Sequence, residues 1–290
     1  MERGVSWKIA GGGILEPAPF FVMGVVNATP DSFYDGGRYD RLDAALERVR
    51  LVAAQGAHII DIGGESTRPY ADPVPVKEEL ARVLPVIKGA AAMKCGSRAS
   101  KVKGAPMAVS IDTYKAEVAD QAIKAGADVI NDVSACEFDP ELKDVLAQHK
   151  PGYVLMHSLG RPERMQVDPR YEDVVSEISL FFERKMSELC AAGLPEDRIV
   201  LDPGIGFGKR LEHNLAILKN LGAFLGFGRP LMVGLSNKSL WGDLLGLGPD
   251  QRRNATQIGT GLAAGKGARI HRVHEVDLTL QTLKIVESLT

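Results

Sequence analysis

The chain has 290 residues, 45% of them apolar, and 35 basic against 37 acidic side chains give a formal net charge of -2. No uninterrupted apolar run reaches the roughly 18 residues that mark a membrane-spanning helix, and a near-neutral chain offers no broad basic field for nucleic acid. The expected partners are therefore small molecules, with no nucleic acid and no membrane. Glu16, Pro17 and Pro19 interrupt the most apolar part of the N-terminus, where a secretory signal needs a continuous run. The three cysteines, Cys95, Cys136 and Cys190, lie far apart in neither a disulfide nor a metal-ligand pattern, which favours a cytoplasmic protein.

The first strand-like run is Phe21–Asn27, and Ala44, Leu46, Val49, Leu51 and Val52 follow it at helical spacing. His58–Gly63 and Met107–Asp112 read as the next strands. Between them, the stretch from Lys94 to Lys103, with Arg98 and Lys101, reads as a solvated basic loop. Then come Val129–Val133, Tyr153–His157, a helix carrying Leu180, Phe181, Met186 and Leu189, and the runs Ile199–Asp202, Leu231–Ser236 and Arg269–His274. The strand runs are almost continuously apolar, as parallel strands covered on both faces are. Gly56, Gly126, Gly193 and Gly267 each stand just before the next strand, where a left-handed helix cap is favoured. Eight consecutive βα units with no reversal of order point to an α/β fold, a single (β/α)8 TIM barrel, over an open doubly wound sheet. The expected organisation is one domain over 1–290, with a core at roughly 20–288, a short N-terminal extension and an insertion loop at 93–106. That loop would lie on the face opposite the active site.

In such a barrel the active site forms at the C-terminal strand ends. Polar residues gather there: Asn27; Asp61 with Glu65, Ser66 and Thr67; Asp112; Asn131 with Asp132; His157; Asp202; Ser236 with Lys238; Arg272 with His274. Singly, each has an ordinary explanation. Asp112 before Thr-Tyr-Lys suits a helix N-cap, and His157 suits a hydrogen-bonded barrel histidine. Together they converge on one mouth, where so many buried polar groups would go unsatisfied without a ligand. Asp112, Asn131, Asp202 and Lys238 supply donors and acceptors for a flat heterocycle. Asn27, Arg272 and His274 suit a diphosphate, and Asn27 can ligate Mg2+ through oxygen.

Two motifs fail on inspection. Gly204-Ile-Gly206-Phe-Gly208-Lys209-Arg210 is one residue short of a phosphate loop and lacks its metal-binding hydroxyl. The same glycines lack the acidic residue that a dinucleotide site needs about 20 positions on, so they read as a tight turn. His157 and His274 are not spaced as zinc ligands.

Several longer segments carry more information. The run from Asn27 to Gly37, Asn-Ala-Thr-Pro-Asp-Ser-Phe-Tyr-Asp-Gly-Gly, and that from Asp61 to Pro69, Asp-Ile-Gly-Gly-Glu-Ser-Thr-Arg-Pro, resemble the first two motifs of the dihydropteroate synthases. The likeness continues through Ser110-Ile-Asp-Thr, Ile130-Asn-Asp-Val, Leu155-Met-His, the stretch Leu201–Lys209, and Arg272-Val-His. It implies that a dihydropterin diphosphate is joined to p-aminobenzoate with release of pyrophosphate, in folate biosynthesis, with Mg2+ as cofactor. It places the pterin among Asp112, Asn131, Asp202, Phe207 and Lys238, and the diphosphate on Asn27, Thr67, Arg272 and His274, with Asn27 toward the metal. It assigns p-aminobenzoate to Phe33, Thr67, Pro69 and Ser236. Asn27, Asp35, Arg68, Lys238, Arg272 and His274 would take part in catalysis, and the chain would form a homodimer through its C-terminal helices.

Three positions depart from the family pattern. Asn237 stands where an arginine is usual beside the pterin, and an amide cannot replace a planar cation. Ser158 in place of Met and Glu275 in place of Asp are milder changes. Gly234-Leu-Ser-Asn237 also suits a pterin methyltransferase, and Asn237 would fit a pterin binder without turnover. Neither alternative needs the Thr29–Phe33 and Ser66–Pro69 motifs, both of which are present.

Overall fold

Eight parallel strands stand side by side in sequence order, and the last hydrogen-bonds to the first, closing a barrel. The structure is a computed structural model that describes residues 4–29, 38–67, 71–96, 107–161 and 164–290. Strands β1 (Val5–Lys8) and β2 (Ile14–Ala18) form an antiparallel hairpin. The barrel follows as β3 (Phe21–Asn27), β4 (Ile59–Gly63), β5 (Ala108–Asp112), β6 (Val129–Asp132), β7 (Gly152–Met156), β8 (Ile199–Asp202), β9 (Leu231–Val233) and β10 (Ala268–Val273). Helices α1 (Arg38–Ala54), α2 (Val76–Gly96), α3 (Ala116–Lys124), α4 (Leu142–His149), α5 (Val174–Ala192), α6 (Leu211–Lys219), α7 (Ser239–Leu245), α8 (Arg253–Gly265) and α9 (Val276–Leu289) surround it. This is the (β/α)8 barrel expected from the sequence. No helix among the described residues is long and apolar enough to cross a membrane.

Strand side chains alternate between faces, so each strand serves two cores. Outward residues such as Val22, Ile60, Val109, Ile130, Leu155 and Leu201 join the helices in the larger apolar core. Inward residues Phe21, Met23, Ile59, Ala108, Val129, Val154, Val200, Met232 and Ile270 fill the lower barrel together with Trp7, Ile9 and Leu15 of the hairpin region. The hairpin therefore caps the N-terminal end of the barrel. Trp7 Nε1 donates to the Arg198 carbonyl at 2.7 Å, and the Ala10 N–H to the Asp128 carbonyl at 3.0 Å. Nothing in the sequence reading anticipated this cap.

Gly56, Gly126, Gly193 and Gly267 all adopt positive φ, between +98° and +110°, as helix-capping glycines do. Other expectations need correcting. Helix α2 continues to Gly96, so residues 93–96 are helix and not loop. Lys94 is correspondingly no solvated charge: its ammonium meets Asp128 at 2.6 Å and the Gly126 carbonyl at 2.9 Å. Residues 97–106, the rest of that basic stretch, lie outside the described residues. Leu51 and Leu180 face solvent, because Ala45, Val49 and Val52 form the buried stripe of α1, and Ile178, Phe182 and Leu189 that of α5.

Candidate active site

The inward-facing positions change character toward the C-terminal ends of the strands. Above Ile59, Ala108, Val129, Val200 and Ile270 come Asp61, Ser110, Asn131, Asp202 and Arg272, and above Ser110 comes Asp112. Arg272 holds the group together: its Nε donates to Asp61 Oδ2 at 2.7 Å and its Nη2 to Asp112 Oδ2 at 2.6 Å. Asn131 Nδ2 donates to the same Asp61 oxygen at 3.2 Å. The second oxygens, Asp61 Oδ1 and Asp112 Oδ1, are buried without a partner, as is Ser110 Oγ. Buried polar atoms are nearly always bonded, so three orphans on neighbouring strands at the barrel mouth mark where a ligand's donors belong.

Asp112 is not a helix cap. Its carboxylate is bound to Arg272, and the Ala116 N–H at the start of α3 is served by Asp139 Oδ2 at 2.7 Å. Asp132 is not at the mouth either: it turns outward and accepts from Ser134, Cys136 and Tyr153. The sequence places Asp61 among the strand-end residues but assigns it to no ligand, since nothing in the linear sequence shows which carboxylate an arginine will meet.

On the far side of the mouth, Asp202 Oδ1 accepts from the Gly204 N–H at 2.8 Å. Gly204, Gly206 and Gly208 all have positive φ, at +67°, +82° and +62°, so this is the tight turn the sequence suggested. Only glycine fits at 204, because a Cβ would lie 1.9 Å from the His157 carbonyl oxygen. The turn spends its N–H groups on the protein, Gly204 on Asp202 and Gly206 on Asn214 Oδ1, and so is no phosphate cradle. It sets Phe207 beside Lys238, whose Nζ is 4.2 Å from the ring centroid. It also carries Lys209, which has no site role in the sequence reading and whose Nζ is bonded to His157 Nδ1 at 3.0 Å and to the Phe207 carbonyl at 3.0 Å. His157 is thus the hydrogen-bonded barrel histidine.

Burial shapes the titration of the mouth. It pushes the Asp112 carboxyl up to about 7 against the pull of Arg272, and it raises Asp202 as well. It brings Lys209 down to about 7. Burial, reinforced by Arg272, lowers Lys238 to about 8. Burial thus brings Asp112 and Lys238 toward neutrality from opposite sides.

The third side is built by β9, β10 and β3. Ser236 Oγ lies 3.0 Å from His274 Nδ1 and also accepts from the His274 N–H at 3.3 Å. Asn27 is half-buried at the end of β3, directly beside β10, and Thr67 is half-buried past the end of β4. Asn27 carries a side-chain oxygen of the kind that Mg2+ accepts as a ligand. No group of three or more His, Cys, Asp or Glu among the described residues could hold an ion by itself.

Residues 23–274 match the model of the pterin-binding enzymes. The chain is 42% identical over 268 residues to a dihydropteroate synthase of Bacillus subtilis, covering 92% of this chain and 88% of that one. It also superposes with a TM-score of 0.86, at 40% identity and over 97% and 98% of the two chains, on a Yersinia pestis dihydropteroate synthase in complex with a sulfonamide drug. A Xanthomonas albilineans dihydropteroate synthase with 4-aminobenzoic acid gives 0.87 at 38% identity, over 98% of both chains. The chain belongs to the dihydropteroate synthase family.

Its activity is accordingly that of a transferase making dihydropteroate in folate biosynthesis. Of the residues that the dihydropteroate synthase motifs nominate, Asp112, Asn131, Asp202, Phe207, Lys238 and Arg272 surround the barrel mouth, and Ser236 pairs with His274 at its β9–β10 side. Arg272, nominated for the diphosphate, is bonded to Asp112 of the pterin group and so bridges the two sets. Phe33, Asp35, Arg68 and Pro69 lie outside the described residues.

Proposed function

We propose that this mouth condenses 6-hydroxymethyl-7,8-dihydropterin diphosphate with p-aminobenzoate by loss of diphosphate first and capture by the arylamine second. The observation that carries the reading is the set of unpartnered oxygens of Asp61, Ser110 and Asp112 around a fixed guanidinium. A pterin presents ring N–H and amino donors on one edge and a carbonyl beside them, and Asp112, Asn131, Asp202 and Lys238 supply the matching acceptors and donors. Phe207, held under the Lys238 ammonium, offers a face for the ring.

The bond from the pterin methylene to the diphosphate oxygen breaks, and the leaving group keeps the electron pair. Ring conjugation stabilises the cation left behind. Arg272, His274, Asn27 and Thr67 bind the departing charge, each well-placed donor contributing about 3–4 kcal/mol to the transition state. Mg2+, held by Asn27 and the diphosphate oxygens, would add Lewis-acid stabilisation of that leaving group. The arylamine nitrogen, neutral at pH 7, then bonds to the methylene and gives its proton to solvent. Ser236 and Thr67 would hold p-aminobenzoate, and the family motifs add Phe33 and Pro69 to that role and Asp35 and Arg68 to catalysis.

Two further readings go with this one. Ile258 and Leu262 on α8, and Ile285 and Leu289 on α9, expose large apolar side chains on adjacent helices, which supports a homodimer through this face. Cys136 and Cys190 are free thiols, in keeping with a cytoplasmic enzyme. The decisive experiment is pyrophosphate release from the dihydropterin diphosphate and Mg2+, with and without p-aminobenzoate. Release that requires both substrates is expected. Pterin binding with no release would overturn the mechanism and favour a silent pterin binder.

A further inference from the structure

The chain leaves β4 through Gly63-Gly64-Glu65, passes Thr67, and returns at Val74 just before α2. The two ends of this excursion are tied to each other. Glu65 Oε2 accepts from the Val74 N–H at 2.7 Å, while Lys115 Nζ donates to the same Glu65 oxygen at 2.6 Å and to the Val74 carbonyl at 2.7 Å. A third bond from Lys115 goes to Glu79 on α2. Lys115 stands three residues past Asp112, so the knot also joins the excursion to the end of β5. The exit from β4 is docked on α2 as well. A Cβ on Gly64 would come within 2.7 Å of Val83 Cγ1 and 2.9 Å of Glu79 Cγ, and Arg82 donates to the Gly64 carbonyl at 2.7 Å.

The knot is dry: side-chain exposure is 10% for Lys115, 9% for Glu65 and 1% for Glu79. One ammonium faces two carboxylates there, and Glu79 Oε1 has no partner. Desolvation makes such a cluster a weak source of stability compared with apolar packing, whereas its directed bonds fix geometry. We propose that Lys115 is a positioning residue for p-aminobenzoate, clamping the neck at Glu65 and Val74 so that Thr67 is presented to the second substrate. The inference rests on the reading of Thr67 as part of the p-aminobenzoate pocket.

The test compares Lys115→Met and Lys115→Arg with the parent enzyme. Steady-state kinetics should show the KM for p-aminobenzoate raised on the order of tenfold to a hundredfold in Lys115→Met, and largely restored in Lys115→Arg. Calorimetric binding of 6-hydroxymethyl-7,8-dihydropterin, which carries no diphosphate for Thr67 to meet, should change less than about twofold, since the pterin ring contacts lie outside the knot. An unchanged KM in folded Lys115→Met overturns the proposal. So does a pterin Kd that moves by the same factor, which would mean general disturbance of the neighbouring Asp112. If Lys115→Met does not fold, Glu65→Gln keeps the side-chain shape while removing one charge; it should raise the same KM to a smaller extent, and no rise overturns the proposal. Thr67→Val tests the reading beneath it. A normal KM there removes the p-aminobenzoate assignment itself, whereas a raised KM beside a neutral Lys115→Met removes the clamp alone.

Discussion

The two ends of the barrel are built from the same strands and differ by one pleat. Ile59 gives way to Asp61 on β4, Ala108 to Ser110 on β5, Val129 to Asn131 on β6, Val200 to Asp202 on β8 and Ile270 to Arg272 on β10. The lower layer is apolar and closed over by Trp7, Ile9 and Leu15. The upper layer is polar, with buried oxygens left for a ligand. Stability is thus concentrated at one end and chemistry at the other, and substitutions at the two ends should have separable effects.

The largest effect is expected at the mouth. Asp112→Ala should lower kcat/KM on the order of a thousandfold, as truncating one partner of a buried charge pair does, with little change in melting temperature because Arg272 keeps Asp61. A pyrophosphate-release assay beside a thermal melt checks this; retained activity with a collapsed melt would erase the division between the ends. At the other end, Trp7→Ala should cost about 3–5 kcal/mol of stability by denaturant unfolding, with both KM values unchanged at temperatures where the variant is folded.

The pH dependence sharpens the contrast. With the Asp112 carboxyl held near 7, kcat/KM for the pterin substrate should fall as pH drops below about 7, and fall again above about 8 as Lys238 loses its proton. Stability should respond to Asp112 in the opposite sense. Its folded-state value lies above the ordinary 3.8, so its favourable contribution is complete below that value and is lost as pH rises through about 7. An Asp112→Asn variant lacking neither the acid limb nor this stability trend would refute the assignment. The smallest effect concerns Asn237, which is exposed and has φ +57°. Asn237→Arg should tighten pterin binding severalfold in calorimetry and cost about 1 kcal/mol for an arginine in left-handed backbone. Unchanged or weaker affinity would show that this position no longer takes part.

The sequence shows all eight barrel strands, because runs such as Val129–Val133 and Ile199–Asp202 are apolar on both faces and need no knowledge of their neighbours. It also shows which polar residues stand at the strand ends. It does not show how they pair. Asp112 looks like a cap until Arg272 is found 160 positions away on an adjacent part of the mouth, and nothing in the linear sequence brings Lys115 and Glu79 to Glu65 before the fold buries the three together. The hairpin is hidden for another reason: its strands are 4 and 5 residues long, and Trp7 and Leu15 have meaning only as a lid for a barrel that lies elsewhere in the sequence.

Closure of β10 against β3 has a consequence for how the molecule is made. Phe21 pairs with Ile270 across roughly 250 positions of chain, and such distant pairings make folding slow. A nascent chain carries Trp7 and Phe21 from the outset but cannot seal the cylinder until β10 has been synthesised. Through that interval the early strands present open edges and an uncovered apolar interior, the condition in which partly folded chains aggregate. Synthesis rate and chaperone access should therefore limit the yield of this protein more than the stability of its finished form.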